Sequence, residues 1–343
     1  MKKLFSLFVL LLLSGALYAQ DLVVTLNGQK VYFNILSEKD KSVGVTYFGS
    51  ITDDVQSEYS GEISLPSKIR HNGEIYNVVS IGSKAFSGAD KLTGIVIPMG
   101  ITKIGAFAFE GCTSLSKIVF PSNNIEIGEG AFFKCPNIQH ITLGGEWNEI
   151  NLAVFRWSDK LESITIPAKV TKVINAKKLM HLKEINVDVN NNYFASIDGL
   201  LYDKCGETLY CCPRAYSGNV VLNSSTKVVT PGALSDCYGV SKVVLSDSLE
   251  TLSFREFARL KSLNEIEFKG VMPVMTALDA SGECFLLQVA NQDLIITVPK
   301  GSLKLYKKSL IQKPGEYKEI GGDIPYLVNQ DALPSVKSMY GIK

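Results

Sequence analysis

The side chains that could do chemistry are few and poorly placed for it. His71, His140 and His181 lie far apart, and none has a partner at metal-ligand or triad spacing. Cysteines stand at 112, 135, 205, 211, 212, 237 and 284. Cys211 and Cys212 are adjacent, which is not the CxxC of a zinc or redox site. Neither a Gly-x-Ser-x-Gly elbow nor a phosphate-cradling glycine loop occurs. Trp147 and Trp157 read as packing or rim aromatics ahead of a sugar platform. The sequence thus names no catalytic residue, cofactor or metal ligand, and the chain reads as non-enzymatic.

Bulk charge excludes further classes. Lys and Arg number 35 against 34 Asp and Glu, without a single-sign block. Nucleic acid would demand a basic stripe, and an anionic membrane surface a polybasic cluster. Residues 1–19 read as a targeting segment: Lys2 and Lys3, an apolar run from Leu4 to Leu13, and Ala19 at a cleavage site. That run is shorter than the ~20 residues of a span. No cysteine follows it to accept a lipid. The expected mature chain starts at Gln20, exported to the cell surface, released, or held in a periplasm, and no later stretch is long enough to span as a helix.

What must position any functional residue is a repeat. Ile81, Ile104, Ile127 and Ile150 are 23 residues apart, as are Phe86, Phe109, Phe132 and Phe155. The same step relates Leu92, Leu115, Ile138 and Leu161, then Ile95, Ile118, Ile141 and Ile164, then Ile97, Phe120, Leu143 and Ile166. A period of 20–50 residues is the mark of a stacked array. Ile95-x-Ile97 alternates as a half-buried strand does, and Pro98, Pro121 and Pro167 stop it. Gly82, Gly105 and Gly128 are expected to permit a bend into a short helical or turn segment whose Phe points inward. Cys112, Cys135 and Cys237 share a column with Ala89, Ser158 and Leu260, so they read as small buried hydrophobes. Cys205, Cys211 and Cys212, around a hairpin, are the candidates for pairing. The expected fold is a leucine-rich repeat solenoid, a β-rich α/β right-handed coil of parallel strands with an N-terminal β cap and a C-terminal helix cap.

Along the chain, residues 20–60 read as the β cap, with Asn27-Gly28 turning a hairpin and a third strand over Val43 to Phe48. Solenoid rungs are expected over 61–300. Asn72-Gly73 marks an early hairpin, and a fifth rung from Val173 is two residues short. A hairpin insertion at about 188–219 pairs Gly199–Asp203 with Thr208–Cys211. The spacing then returns through Val229, Leu234, Val240, Val243 and Leu245, and again through Leu252, Phe257, Leu263, Ile266 and Phe268. Residues 301–343 read as a cap and tail, with Ser302 capping a short helix and no clear pattern after Tyr326.

The run Val79-Ser80-Ile81-Gly82-Ser83-Lys84-Ala85-Phe86, followed by Leu92, Ile95, Ile97 and Pro98, resembles the BspA-type leucine-rich repeats of exported bacterial proteins. Tyr193 to Tyr202 and Val298-Pro299-Lys300-Gly301-Ser302 resemble that family too. The resemblance covers roughly residues 45 to 320 and lacks the Asn ladder of the commoner leucine-rich pattern. It implies extracellular binding and adhesion to host matrix proteins or other cells, with no ligand carried over by motif.

If such a coil binds a partner, the strand face turned away from the core is where variety is written. One outward column runs through Lys117, His140, Ser163, Glu184, Lys242 and Glu265, and its neighbour through Val96, Val119, Thr142, Thr165, Val244 and Glu267. These residues change in type while the buried columns do not. They are the candidate binding face for an extracellular protein; a glycan-binding or structural envelope role is the alternative.

Overall fold

The computed structural model describes residues 21–26, 28–47, 59–257, 259–270, 274–276 and 294–299. The targeting segment and the cap and tail over 301–343 lie outside them. The chain is a β-solenoid of parallel strands in two compact units, Met1–Leu179 and Met180–Lys343. The boundary falls in the shortened fifth rung, where the 23-residue spacing is lost.

In the first unit, β1 (Leu22–Leu26) and β2 (Gln29–Ser37) form the hairpin that Asn27-Gly28 predicts, and β3 (Ser42–Thr46) returns against β2. Next come β4 (Ser60–Ser64) and the hairpin of β5 (Lys68–His71) with β6 (Glu74–Ile81). Its two turn residues have φ of 48° at Asn72 and 83° at Gly73, the left-handed pair of a type I′ turn. Then follow β7 (Lys91–Val96), β8 (Lys103–Ile104), β9 (Lys117–Val119), β10 (Glu126–Ile127), β11 (His140–Thr142), β12 (Glu149–Asn151), β13 (Ser163–Ile166) and β14 (Lys172–Ile174). One parallel wall runs β3-β6-β8-β10, a second β4-β7-β9-β11. Register follows the sequence period: Ile81 lies beside Ile104 and Ile104 beside Ile127, as Ile95 lies beside Ile118 and Ile118 beside Ile141. The first wall stops at β10, and β12 pairs only with β14, so no strand ladder joins β10 to β12.

Between the walls the phenylalanines stack. Ring centroids of Phe86 and Phe109 are 5.0 Å apart, Phe109 and Phe132 5.1 Å, Phe132 and Phe155 5.2 Å. All four are buried. Each contributes roughly 1.5–3 kcal/mol of burial, and each offset pair about 0.5–1.5 kcal/mol more. The segments carrying them are turns, with almost no helix; one short 3₁₀ segment, Leu152–Phe155, is capped by Asn151, whose Oδ1 accepts from the Ala153 N–H at 3.1 Å.

The glycines work differently from the expected bend. A Cβ on Gly105 would lie 2.4 Å from the Ser83 nitrogen, and one on Gly128 2.6 Å from the Ala106 nitrogen. Gly82 likewise sits against the Val45 carbonyl. The column is glycine because successive backbones touch there. Left-handed φ is instead required at the turn column of Gly88 and Gly111 (72° each), continued by Lys134 at 55°.

The second unit contains β15 (Glu184–Val187), β16 (Phe194–Ile197), β17 (Leu200–Asp203), β18 (Thr208–Cys211), β19 (Ser217–Val221), β20 (Val228–Val229), β21 (Gly239–Leu245), β22 (Thr251–Ser253), β23 (Glu265–Phe268), β24 (Val274–Thr276) and β25 (Ile295–Thr297). The expected hairpin is β17 with β18, but it is a part of the wall. Strand β16 precedes it antiparallel, and β18 continues in parallel into β20, β22 and β24. The opposite wall is β19-β21-β23-β25. Their shared core includes Leu234, Val240, Val243, Leu252, Phe257 and Ile266. Glu256 is buried here as a clamp between turns: its carboxylate accepts from the Gly232 N–H at 2.6 Å and the Leu234 N–H at 3.0 Å.

Candidate functional site

The outward face is built on strands whose alternate side chains are locked in the core. In the first unit Glu62, Gly94, Lys117 and His140 lie side by side in register, and Ser64, Val96, Val119 and Thr142 form the adjacent column. Gly94 has no side chain, so Glu62 lies across it and its Oε1 reaches the Lys117 Nζ at 3.5 Å. Both side chains stay about half exposed, at 49% and 48%. His140 and Thr142 are exposed, Val96 and Val119 partly so, and Ser163 and Thr165 project to solvent from β13. These residues make a mixed surface able to take hydrogen bonds, a cation contact and apolar contact.

In the second unit the stripe is more closed. Lys242 donates to Glu265 at 2.7 Å and to Glu267 at 2.8 Å, and its side chain keeps 24% exposure. The hydrogen bond it donates to Glu265, then the one to Glu267, raises the pKa of the ammonium. Val244, expected outward, is 6% exposed, enclosed in register between Val221 and Glu267. Glu184 is exposed on β15 and accepts from the Asn186 amide at 3.0 Å.

A second set of charges follows the same period and was overlooked in the sequence. Lys103 pairs with Glu126 at 3.1 Å, Glu149 with Lys172 at 3.0 Å, and Glu146 with Lys169 at 2.5 Å. Each pair is 23 residues apart, so opposite charges at that separation were the available signal. All are solvent-exposed and worth about 0–1 kcal/mol apiece.

The chemistry-bearing side chains do not converge. His71 lies at the β5–β6 turn near the Tyr76 ring, His140 on the stripe, and His181 is exposed. Among the described residues no group of three or more His, Cys, Asp or Glu could hold a metal ion. Cys112 and Cys135 are buried and donate to the Phe86 and Phe109 carbonyls at 3.2 and 3.0 Å. The neighbouring Cys135 thiol and burial push the Cys112 thiol far up, so it stays protonated and inert. Cys205 is exposed with a reduced thiol, whereas Cys211 and Cys212 are buried and donate to the Cys212 and Pro213 carbonyls. Of the three candidates for pairing, these two thiols are engaged in hydrogen bonds. Trp147 is a packing residue, as expected; Trp157 is a rim aromatic, 44% exposed, edge-on to Phe133 with Arg156 over its ring.

Several solved structures are similar to this chain. The pneumococcal vaccine antigen PcpA is 20% identical, covers 75% of this chain and 71% of its own, and superposes with a TM-score of 0.50. A leucine-rich cell surface protein from Faecalibacterium prausnitzii A2-165 is 20% identical over 74% of this chain and 83% of its own, with a TM-score of 0.37. A leucine-rich repeat protein from Eubacterium ventriosum is 18% identical over 78% and 76%, with a TM-score of 0.41. No curated protein matches the chain. The sequence model for the BspA type leucine rich repeat region matches in six copies across residues 77–205 and 210–277, more than half of the chain. With its 23-residue columns stacked as that pattern requires, the chain belongs to the BspA-type leucine-rich repeat family.

Proposed function

We propose that this is an exported, non-enzymatic interaction protein that adheres to an extracellular protein of a host or neighbouring cell through its outward strand face. The observation that carries the reading is a contrast in the first unit. Buried columns repeat in type, while the exposed columns Glu62–His140 and Ser64–Thr142 vary in charge, polarity and size. Solenoids bind through such extended faces. The reading has further support in family membership and in the absence, among the described residues, of a helix long and apolar enough to cross a membrane.

The test is surface plasmon resonance of the chain from Gln20 over a panel of immobilised extracellular matrix proteins, beside a Lys117→Glu/His140→Glu double variant. Binding by the parent chain that the double variant loses by about tenfold or more supports the reading. Equal binding by both chains moves the contact elsewhere, and no binding across the panel removes matrix adhesion.

A further inference from the structure

The interruption between β10 and β12 is more than a gap in a ladder. In the preceding rungs the Glu126 N–H reaches the Thr102 carbonyl at 2.9 Å, and the Gly128 N–H the Ile104 carbonyl at 2.8 Å. One rung on, no ladder bond joins Glu149 or Asn151 to β10. A cavity of about 300 Å³ opens there. Trp147 stands at the interruption, in the column of Ile101, Asn124 and Val170. It is pinned by its indole N–H on the Pro121 carbonyl at 3.0 Å and by edge contact with Phe120 at 5.5 Å. The rungs still touch at Gly144, whose Cβ would lie 2.2 Å from the Pro121 carbonyl. One side-chain bond, from the Asn148 N–H to Asn124 Oδ1 at 2.9 Å, closes one end.

The cleft has a floor and a rim of opposite character. Trp147, Ile150 and Phe155 are buried at its base, with Val154 part-exposed beside them. Asn124, Glu126, Asn148, Glu149 and Asn151 are exposed around the mouth. No Lys, Arg or His lines it, so an anionic ligand would find no countercharge. Lys103 and Lys172 already hold Glu126 and Glu149 from outside, which weakens the case for a cationic one. A strand inserted between β10 and β12 would need the rungs about 4.7–4.9 Å further apart. Yet Phe132 and Phe155 remain 5.2 Å apart, close to the 5.1 Å of the intact step before. The space suits a compact ring with an apolar face and several hydroxyl donors.

We infer that the Trp147 cleft is a binding site for a neutral saccharide. One sugar ring lies against the apolar floor, and its hydroxyls bond the carboxamide and carboxylate rim. This site is separate from the outward stripe and does not depend on it.

The test is isothermal titration of the chain from Gln20 with uncharged gluco-, galacto-, manno- and xylo-oligosaccharides, with sialylated and sulfated oligosaccharides and unstructured peptides as further arms. Asn148→Ala removes a rim carboxamide, and Val154→Phe fills the cavity from the 3₁₀ segment. Binding of a neutral oligosaccharide, weakened by about tenfold or more in both variants and unchanged in Lys117→Glu/His140→Glu, is the expected result. No neutral saccharide binding, binding indifferent to both substitutions, or preference for the anionic sugars or the peptides overturns the assignment. A fold check by circular dichroism covers Val154→Phe, and Asn148→Ala, on an exposed side chain, carries the test should the filled variant unfold.

Discussion

Lys117 in the first unit and Lys242 in the second occupy the same column of the repeat and differ in what they offer a partner. Lys117 has one carboxylate at 3.5 Å and is about half exposed. Lys242 has two, at 2.7 and 2.8 Å, and is mostly covered. The spacing decides this: Gly94 separates Lys117 from Glu62, whereas Glu265 lies directly beside Lys242 in register and Glu267 two residues along the same strand. A column position therefore fixes direction but not availability. A charge already satisfied by its neighbours contributes little to a new contact, because binding must first break what it has.

The cores differ as well, and that difference predicts the largest effects. Phe109 lies between two stacked rings with no exposure, so Phe109→Ala should cost about 3–5 kcal/mol. Hydrogen exchange should show protection lost in the first unit and retained in the second; loss in both would mean the units do not respond separately. Glu256→Ala should act in the second unit, where two backbone N–H groups lose a charged acceptor, at about 1.5–3 kcal/mol, read by the same exchange measurement. An unchanged second unit would mean that water replaces the carboxylate without cost.

Alkaline titration sharpens the comparison further. Burial pushes the Tyr202 hydroxyl in the second unit up to about 12 and raises Tyr59 in the first beyond the usual range. A folded pKa above the unfolded value of ~10 gives stability that is full below pH ~10. In both units it is lost from pH ~10 upward, where the unfolded tyrosine ionises; the loss ends near about 12 for Tyr202 and runs further for Tyr59. Urea melts should show stability falling from pH ~10 upward, and a midpoint that stays constant across that range would mean the two hydroxyls are not held neutral by the fold.

On a matrix protein that the parent chain binds, Lys117→Glu alone should weaken binding by about tenfold, or ~1.4 kcal/mol, while Lys242→Glu changes it little. The reverse order would place the contact in the second unit. Smallest of all, Lys242→Ala should shift stability by at most about 1 kcal/mol in a urea melt.

Much of this was legible in the sequence because a stacked array converts spacing into neighbours. Phe86 to Phe155 could be placed one above another from their numbers alone, and so could the pairing of Ile95 with Ile118. Gly105 was identified as necessary, but for a bend; contact with Ser83 depends on the distance between turns, which no single turn's sequence encodes. Lys103 with Glu126 carries the same period as the core, but a 23-residue interval says that two charges are neighbours, not that they pair. Val244 was misjudged since alternation says which way a side chain points, not whether Val221 and Glu267 enclose it. The cleft beside β12 was hidden for a similar reason. Trp147 reads as packing, and its column, Ile101, Asn124, Trp147 and Val170, mixes sizes and polarities without saying where the ladder opens.

The close backbone contact at Gly82, Gly105 and Gly128 has an implication for how such chains change in length. Each of these glycines meets only the turn below it, so nothing in the contact counts how many turns there are. Duplicating a whole 23-residue block would seat a new layer as neatly as the old ones, whereas gaining or losing a single residue would drive a side chain into that contact. Growth by complete layers is the route the geometry leaves open.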